Sequence, residues 1–412
     1  MSRPARLPSL VTWLLVCICS LTLAACAGVK GVPIQAHSVP AAPAQTKVEF
    51  LERWDVAKLN NILQVQTRTD FGVHTAYTPA RNAVNLYRIT YPSAIPNMGN
   101  KPTTASGLLV IPETQSTSFP MVSYQHGTVY ERTQVPSFPD NSPETQLMIA
   151  QFAGQGYVLI GADYFGLGTS TEPEGYMVKA SHQQATYDML MASREVLKQT
   201  QISTNKLFLA GWSQGGFVTM SFLQKLEVAG VKVDATATAS APLDLYALVS
   251  GALYYPRPNA AVWLNSIFIL TAFSFENYYA SPGLAHSVIV DKYYEMSKAA
   301  YDRKPFQGAI PTDLHTLLRP GMFGLVAFHE SAFGQLLSKT EAYKWLFRSP
   351  VRNYYGEEDE AVTTDNARLA MTYAMKNGNS MVTAISTGST DHRGTFASAV
   401  PEWKLWFDAP TH

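Results

Sequence analysis

Lys206-Leu-Phe-Leu-Ala-Gly-Trp-Ser-Gln-Gly-Gly-Phe-Val-Thr-Met-Ser-Phe-Leu223 decides how this chain is read. The apolar run Lys206–Ala210 predicts a buried strand, and Gly216–Leu223 predicts a helix. Between them Gly211-Trp212-Ser213-Gln214-Gly215 fits G-x-S-x-G. Strand, sharp turn and helix around that motif push a serine hydroxyl out above a sheet. Glycine at 211 and 215 removes side chains that would block a close approach of strand and helix.

Outward from this point, strands and helices alternate. The segments 85–91, 105–111, 121–124, 157–160 and 236–239 predict strands, and 351–355 and 381–385 resume the pattern further on. Helical spacing runs through 144–153, 366–375 and 396–407, the last despite Pro401. Ser181 with Gln184 predicts a capping box opening another helix. Such alternation predicts an α/β fold with a mostly parallel central sheet covered by helices.

The alternation is interrupted at 243–345, a segment rich in tyrosine, phenylalanine and proline. Its apolar stretch 260–273 is too short and too often polar to span a membrane. Two compatible readings remain: a core helix of a second domain, or a cap whose apolar face lines a pocket for an acyl chain. The expected domains are a leader at 1–25, a tether at 26–48, a core at 49–242 and 346–412, and an inserted cap at 243–345.

The 412 residues are 46% hydrophobic and 15% charged, with no net formal charge, which predicts a compact protein with a large core. No basic cluster with interleaved aromatics is present, so nucleic-acid binding is not expected. No close-set metal-ligand motif occurs, and a metal is not expected.

The N-terminus has its own logic. Arg3 and Arg6 precede an uncharged apolar segment, 7–25, ending in Leu23-Ala24-Ala25-Cys26. This predicts an export signal. Its end resembles the lipobox of bacterial lipoproteins, which implies lipidation of Cys26; an ordinary signal peptide or an uncleaved anchor are the alternatives. With Cys17 and Cys19 inside the signal, Cys26 would be the one remaining thiol, and no internal disulfide is expected. The expected location is the bacterial cell envelope, attached to the membrane through Cys26. Ala27, where an inner-membrane retention signal would carry aspartate, favours the outer membrane.

A serine hydroxyl needs a base in hydrogen-bond reach, itself oriented by an acid. In such sheets both follow the serine on loops after later strands. The candidates are Gly356-Glu-Glu-Asp-Glu-Ala-Val362 and Thr387-Gly-Ser-Thr-Asp-His-Arg-Gly394. His392 is the histidine downstream of Ser213 on a loop closing a late strand. The acid is read as Asp359, with Glu358 and Glu360 as alternatives; Asp391 adjoins His392 too closely to reach its ring. Donors for a developing oxyanion are expected from the backbone N–H of Gln214 and from the loop at His126, through Gly127 or Thr128. His126 is read as holding that loop, and Asp163 as structural.

These segments resemble the α/β-hydrolase superfamily: the His126-Gly127 loop, Asp163-Tyr-Phe-Gly-Leu-Gly168 with Ser170, the Gly-Trp-Ser-Gln-Gly-Gly turn, Ala241-Pro-Leu-Asp-Leu245, the G-x-x-D-x-x-V loop and Asp391-His-Arg-Gly394. Within it they are most similar to secretory lipases of the lipase A type and related bacterial esterases, from about residue 80 onward. The resemblance implies ester hydrolysis without a cofactor, with Ser213 as nucleophile, Asp359 as acid and His392 as base, acting on an ester or lipid. A peptidase or acyltransferase using the same triad is an alternative, as is a non-catalytic envelope lipoprotein that binds a partner or lipid.

Overall fold

A computed structural model describes residues 45–410. The leader at 1–25, Cys26 and most of the expected tether lie outside the described residues. Within them, nine strands form one sheet: β1 (Lys47–Trp54), β2 (Val84–Ile95), β3 (Lys101–Pro112), β4 (Ser118–Gln125), β5 (Val158–Ala162), β6 (Ser203–Trp212), β7 (Ala235–Ala239), β8 (Val351–Tyr355) and β9 (Val382–Ser386). Their spatial order is β1-β2-β3-β5-β4-β6-β7-β8-β9. The pairs from β5 to β9 are parallel, and β1, β2 and β3 are joined to them by antiparallel pairs.

The parallel strands are apolar on both faces because both are covered. In β6, Leu207 and Leu209 join one buried cluster while Phe208 and Ala210 join the other. Helices Lys179–Gln199 and Gln214–Val228 pack on the first face. Helices Pro143–Phe152 and His392–Asp408 pack on the second, where Phe208 stacks on Phe407 at 4.4 Å.

Register then places the site. Gln125 at the end of β4 pairs with Gly211 in β6, and Trp212 pairs with Ala239 in β7. Ala239 in turn pairs with Tyr354 in β8, and Tyr354 with Ile385 in β9. The loops that follow β4, β6, β8 and β9 therefore leave the same carboxyl edge. Segments far apart in sequence meet there, as ligand sites do in open α/β sheets.

Three sequence expectations need correction. Strand β1 begins at Lys47, inside the expected tether, because its backbone pairs with β2 from Lys47↔Thr90 onward. The helix expected to open at Ser181 begins at Lys179 after Val178, which caps nothing with its side chain. Ser181 lies inside it and its hydroxyl donates to Asn97 Oδ1 at 3.0 Å, so no capping box forms. The helix expected from Phe396 begins at His392, because the Asp391 carboxylate accepts the Gly394 N–H at 2.7 Å and caps it.

The inserted segment is a set of short helices with one longer apolar helix, Asn265–Tyr278. Ile267, Phe268, Ile269, Leu270, Phe273 and Phe275 are all buried, so this helix packs in the core, while Trp263 in the same apolar stretch lines the cavity that holds Ser213. A helix apolar all round is held by packing on every side.

Candidate active site

Ser213 stands between β6 and helix Gln214–Val228 with φ 56° and ψ −124°. A serine in that region is strained by roughly 1–3 kcal/mol. Neighbours hold it there: its N–H donates to Ala239 O at 2.9 Å, and its carbonyl accepts from Gly216 and Phe217. The turn is tight enough to require Gly215, where a Cβ would lie 1.9 Å from the Gln125 carbonyl oxygen.

The Ser213 hydroxyl lies 2.9 Å from Nε2 of His392. On the other side of the ring, Nδ1 of His392 lies 3.0 and 3.1 Å from the two carboxylate oxygens of Asp359. Because Asp359 can only accept, the proton sits on Nδ1 and Nε2 is left to accept from the serine. All three are buried, with Ser213 9% exposed at the floor of a cavity. Among the candidate acids, Glu358 is exposed and Asp391 caps its helix. Glu360 accepts the backbone N–H of His392 at 2.9 Å rather than its ring.

Burial pushes the Asp359 carboxyl upward, but the charge and hydrogen bond of His392 and the Val362 N–H outweigh it. The carboxyl ends below its ordinary value. Oδ1 also accepts the N–H groups of Ala361 and Val362 at 2.9 and 2.8 Å, which aims the acid at the ring. Trp212 adds to this alignment: its indole N–H donates to His392 O at 3.1 Å and its ring stacks on Phe396.

The expected oxyanion donors divide. Gln214 opens its helix, and Thr128 lines the same cavity as Ser213. Among the described residues neither backbone N–H has another acceptor. Gly127 has to be set aside as a donor, because its N–H donates to both carboxylate oxygens of Glu144, each at 3.1 Å. His126 is buried, its Nδ1–H donates to Gly127 O at 2.8 Å, and its ring stacks on Tyr164 at 4.1 Å. Asp163 is likewise occupied, accepting from Ser106, Ser137 Oγ and Ser137 N.

The cavity above Ser213 has a volume of about 210 Å³. Its walls are Thr128, Tyr130, Trp212, Trp263, Glu360 and Arg393, three aromatic side chains and two charged ones. Among the described residues no group of three His, Cys, Asp or Glu side chains is placed to hold a metal.

Glu144 and Tyr130 were not legible as site residues. Glu144 is the one charge in an otherwise uncharged helix, a pattern that ordinarily marks a favourable charge in the first helical turn. Tyr130 lies two residues beyond Thr128, where no motif marks it.

A family model described as the prolyl oligopeptidase family matches residues 143–229. No curated protein matches the chain. Among solved structures, the chain is similar to a rice cell wall degrading esterase, LipA, from Xanthomonas oryzae. That match has 22% identity, covers 89% of this chain and 97% of that one, and has a TM-score of 0.71. A putative hydrolase from Legionella pneumophila matches with 22% identity over 89% and 98% of the two chains, at a TM-score of 0.75. Candida antarctica lipase A matches with 13% identity over 85% and 77%, at a TM-score of 0.56. Together with the parallel sheet and its carboxyl-edge loops, these likenesses establish that the chain has the α/β-hydrolase fold.

Proposed function

We propose that this protein is a serine-dependent carboxylic-ester hydrolase of the esterase or lipase type. The observation that carries the reading is the continuous line Asp359–His392–Ser213, with contacts of 3.0 and 2.9 Å. His392 Nε2 takes the Ser213 proton as Oγ attacks the acyl carbonyl carbon. The N–H groups of Gln214 and Thr128 receive the oxyanion. Collapse breaks the ester C–O bond, and His392 passes its proton to the leaving alkoxide. Water, deprotonated by the same ring, then attacks the acyl-enzyme and releases the acid, returning the proton to Ser213.

The cavity of about 210 Å³ suits a small acyl or alcohol group. The likeness to solved structures of an esterase and a lipase supports an ester as substrate. The prolyl oligopeptidase match over 143–229 favours an amide as the second reading. A p-nitrophenyl ester series from short to long chains, run beside an aryl-peptide substrate, separates the two. Ser213→Ala should lower p-nitrophenyl butyrate turnover by several orders of magnitude. An undiminished rate in that variant would falsify the assignment.

We also propose export, from Arg3, Arg6 and the apolar segment 7–25, and lipidation at Cys26, from Leu23-Ala-Ala-Cys26. A clickable fatty acid should label the parent but not Cys26→Ser; equal labelling of both would exclude this attachment.

A further inference from the structure

The loop carrying Asp359 is held from two sides. On the core side, the N–H groups of Glu357 and Glu358 donate to Gly388 O and Thr390 O at 2.9 and 3.3 Å. The carbonyls of Asp359 and Glu360 face the other way, toward the inserted segment. Arg257 Nη1–H donates to Asp359 O at 2.7 Å, and the Ala261 N–H donates to Glu360 O at 3.0 Å. Two residues on, the Trp263 ring lies 5.7 Å from that of His392. Among the described residues, these two carbonyls receive hydrogen bonds from the insertion only.

The Arg257 bond is charge-assisted, and among the described residues no carboxylate pairs with this guanidinium. A donor of this kind is among the stronger neutral-acceptor contacts a protein makes. It acts on the carbonyl of the very residue whose carboxylate orients His392. A cap that swung clear of the site would have to break this bond, the Ala261 bond and the Trp263 contact together.

We propose that Arg257 is a positioning residue: through it the inserted cap holds the acid loop so that Asp359 meets His392, and the cap is a standing wall of the site. The proposal rests on the Asp359–His392–Ser213 line being the working one, as argued above. Arg257 is not among the residues that line the cavity holding Ser213. It sets the angle at which the acid meets the ring, and a misplacement of about 1 Å in such a pair is worth roughly 100-fold in rate.

The test uses the full chain with Arg257→Met, which keeps the aliphatic stem and removes the donor, and Arg257→Lys, which restores a single donor. Two readouts are taken: kcat and KM on p-nitrophenyl butyrate, and the far-downfield proton NMR signal of an imidazole Nδ1–H bound to carboxylate. Arg257→Met is expected to lower kcat by roughly 100-fold with KM changed by less than about threefold, and to lose or broaden that signal. Arg257→Lys should recover a large part of both. If the folded Arg257→Met protein keeps the signal and a kcat within about twofold of the parent, the proposal is overturned. It is equally overturned if activity falls only in proportion to unfolded protein, followed by circular dichroism, while the folded fraction keeps the signal. A parent that shows the signal and loses it in Arg257→Met, yet cleaves no ester, would refute the ester reading and leave the positioning role standing.

Discussion

Glu144 grips the backbone N–H of Gly127 with both carboxylate oxygens at 3.1 Å, directly behind the loop that faces Ser213. One donor of that loop is thus consumed in holding it, and the next, Thr128, is left to face the cavity. Removing the Thr128 N–H with Thr128→Pro should lower kcat by roughly 100- to 1,000-fold, the usual effect of losing one oxyanion donor. Thr128→Ala, which keeps the N–H, should lose far less. Steady-state kinetics on a short p-nitrophenyl ester compare the two; similar losses in both would remove Thr128 from the oxyanion site.

Burial also pushes the Glu144 carboxyl up to about 8, against the hydrogen bond from the Gly127 N–H. A group whose folded value lies above its unfolded value stabilises fully below the unfolded one, near 4.5. That stability is lost as pH rises through about 8. Glu144→Gln keeps an acceptor for Gly127 without a charge. Its Tm relative to the parent should therefore climb steadily between pH 5 and pH 9, as followed by thermal melts across that range. A difference that stays flat with pH would contradict a buried, reluctantly ionised carboxyl.

His182 titrates in the opposite sense. Desolvation lowers its imidazole to about 3, with the neighbouring His126 ring adding to the effect. The unfolded chain takes up a proton near pH 6.5 while the folded chain does not, so acidification from there to about 3 destabilises the fold. His182→Gln should flatten the fall in Tm between pH 6.5 and pH 4. An unchanged slope would show that this ring is accessible to protons in the folded state.

Gly215 offers a steric test. An added Cβ would stand 1.9 Å from the Gln125 carbonyl oxygen, a backbone atom of a central strand that cannot turn aside. Gly215→Ala should cost about 4 kcal/mol or more, in the exceptional range for single substitutions. Urea unfolding would measure it, and a loss under about 1 kcal/mol would mean that the turn around Ser213 has more room than its contacts imply.

Arg303 and Glu174 form a buried pair at 2.6 Å, with side chains 5% and 3% exposed. Arg303 also donates to Val129 O at 3.2 Å, beside the oxyanion loop. Arg303→Met leaves a buried carboxylate without its partner and should cost about 3–5 kcal/mol. Adding Glu174→Leu should restore most of that, because the penalty lies in the stranded charge. Denaturant melts of the single and double variants decide it; equal stabilities would show that the charge is relieved elsewhere.

The parts of this protein that could be read without coordinates share one property: the physics that specifies them acts over a few consecutive residues. Apolar periodicity, the glycines flanking Ser213 and the length of each run were enough to predict the α/β alternation and the serine on its turn. The same information placed Asp359 and His392 just beyond late strands. Short-range patterns failed where a distant partner prevails. Ser181 spends its hydroxyl on Asn97 instead of a cap, and the residues at 47–48 extend into a strand because β2 is there to pair with them.

Which carboxylate on the loop at 356–362 turns inward, which N–H at 127–128 is left without another acceptor, and which groups bond to the carbonyls of that carboxylate loop depend on three-dimensional approach. Asp359 reaches a ring 33 residues away, His392 reaches a hydroxyl 179 residues away, and Arg257 closes on a carbonyl 102 residues away. Local sequence carries the conformational preference of each segment. The energy of a hydrogen bond between segments depends on distance and angle after they have packed, and no pattern along the chain encodes those.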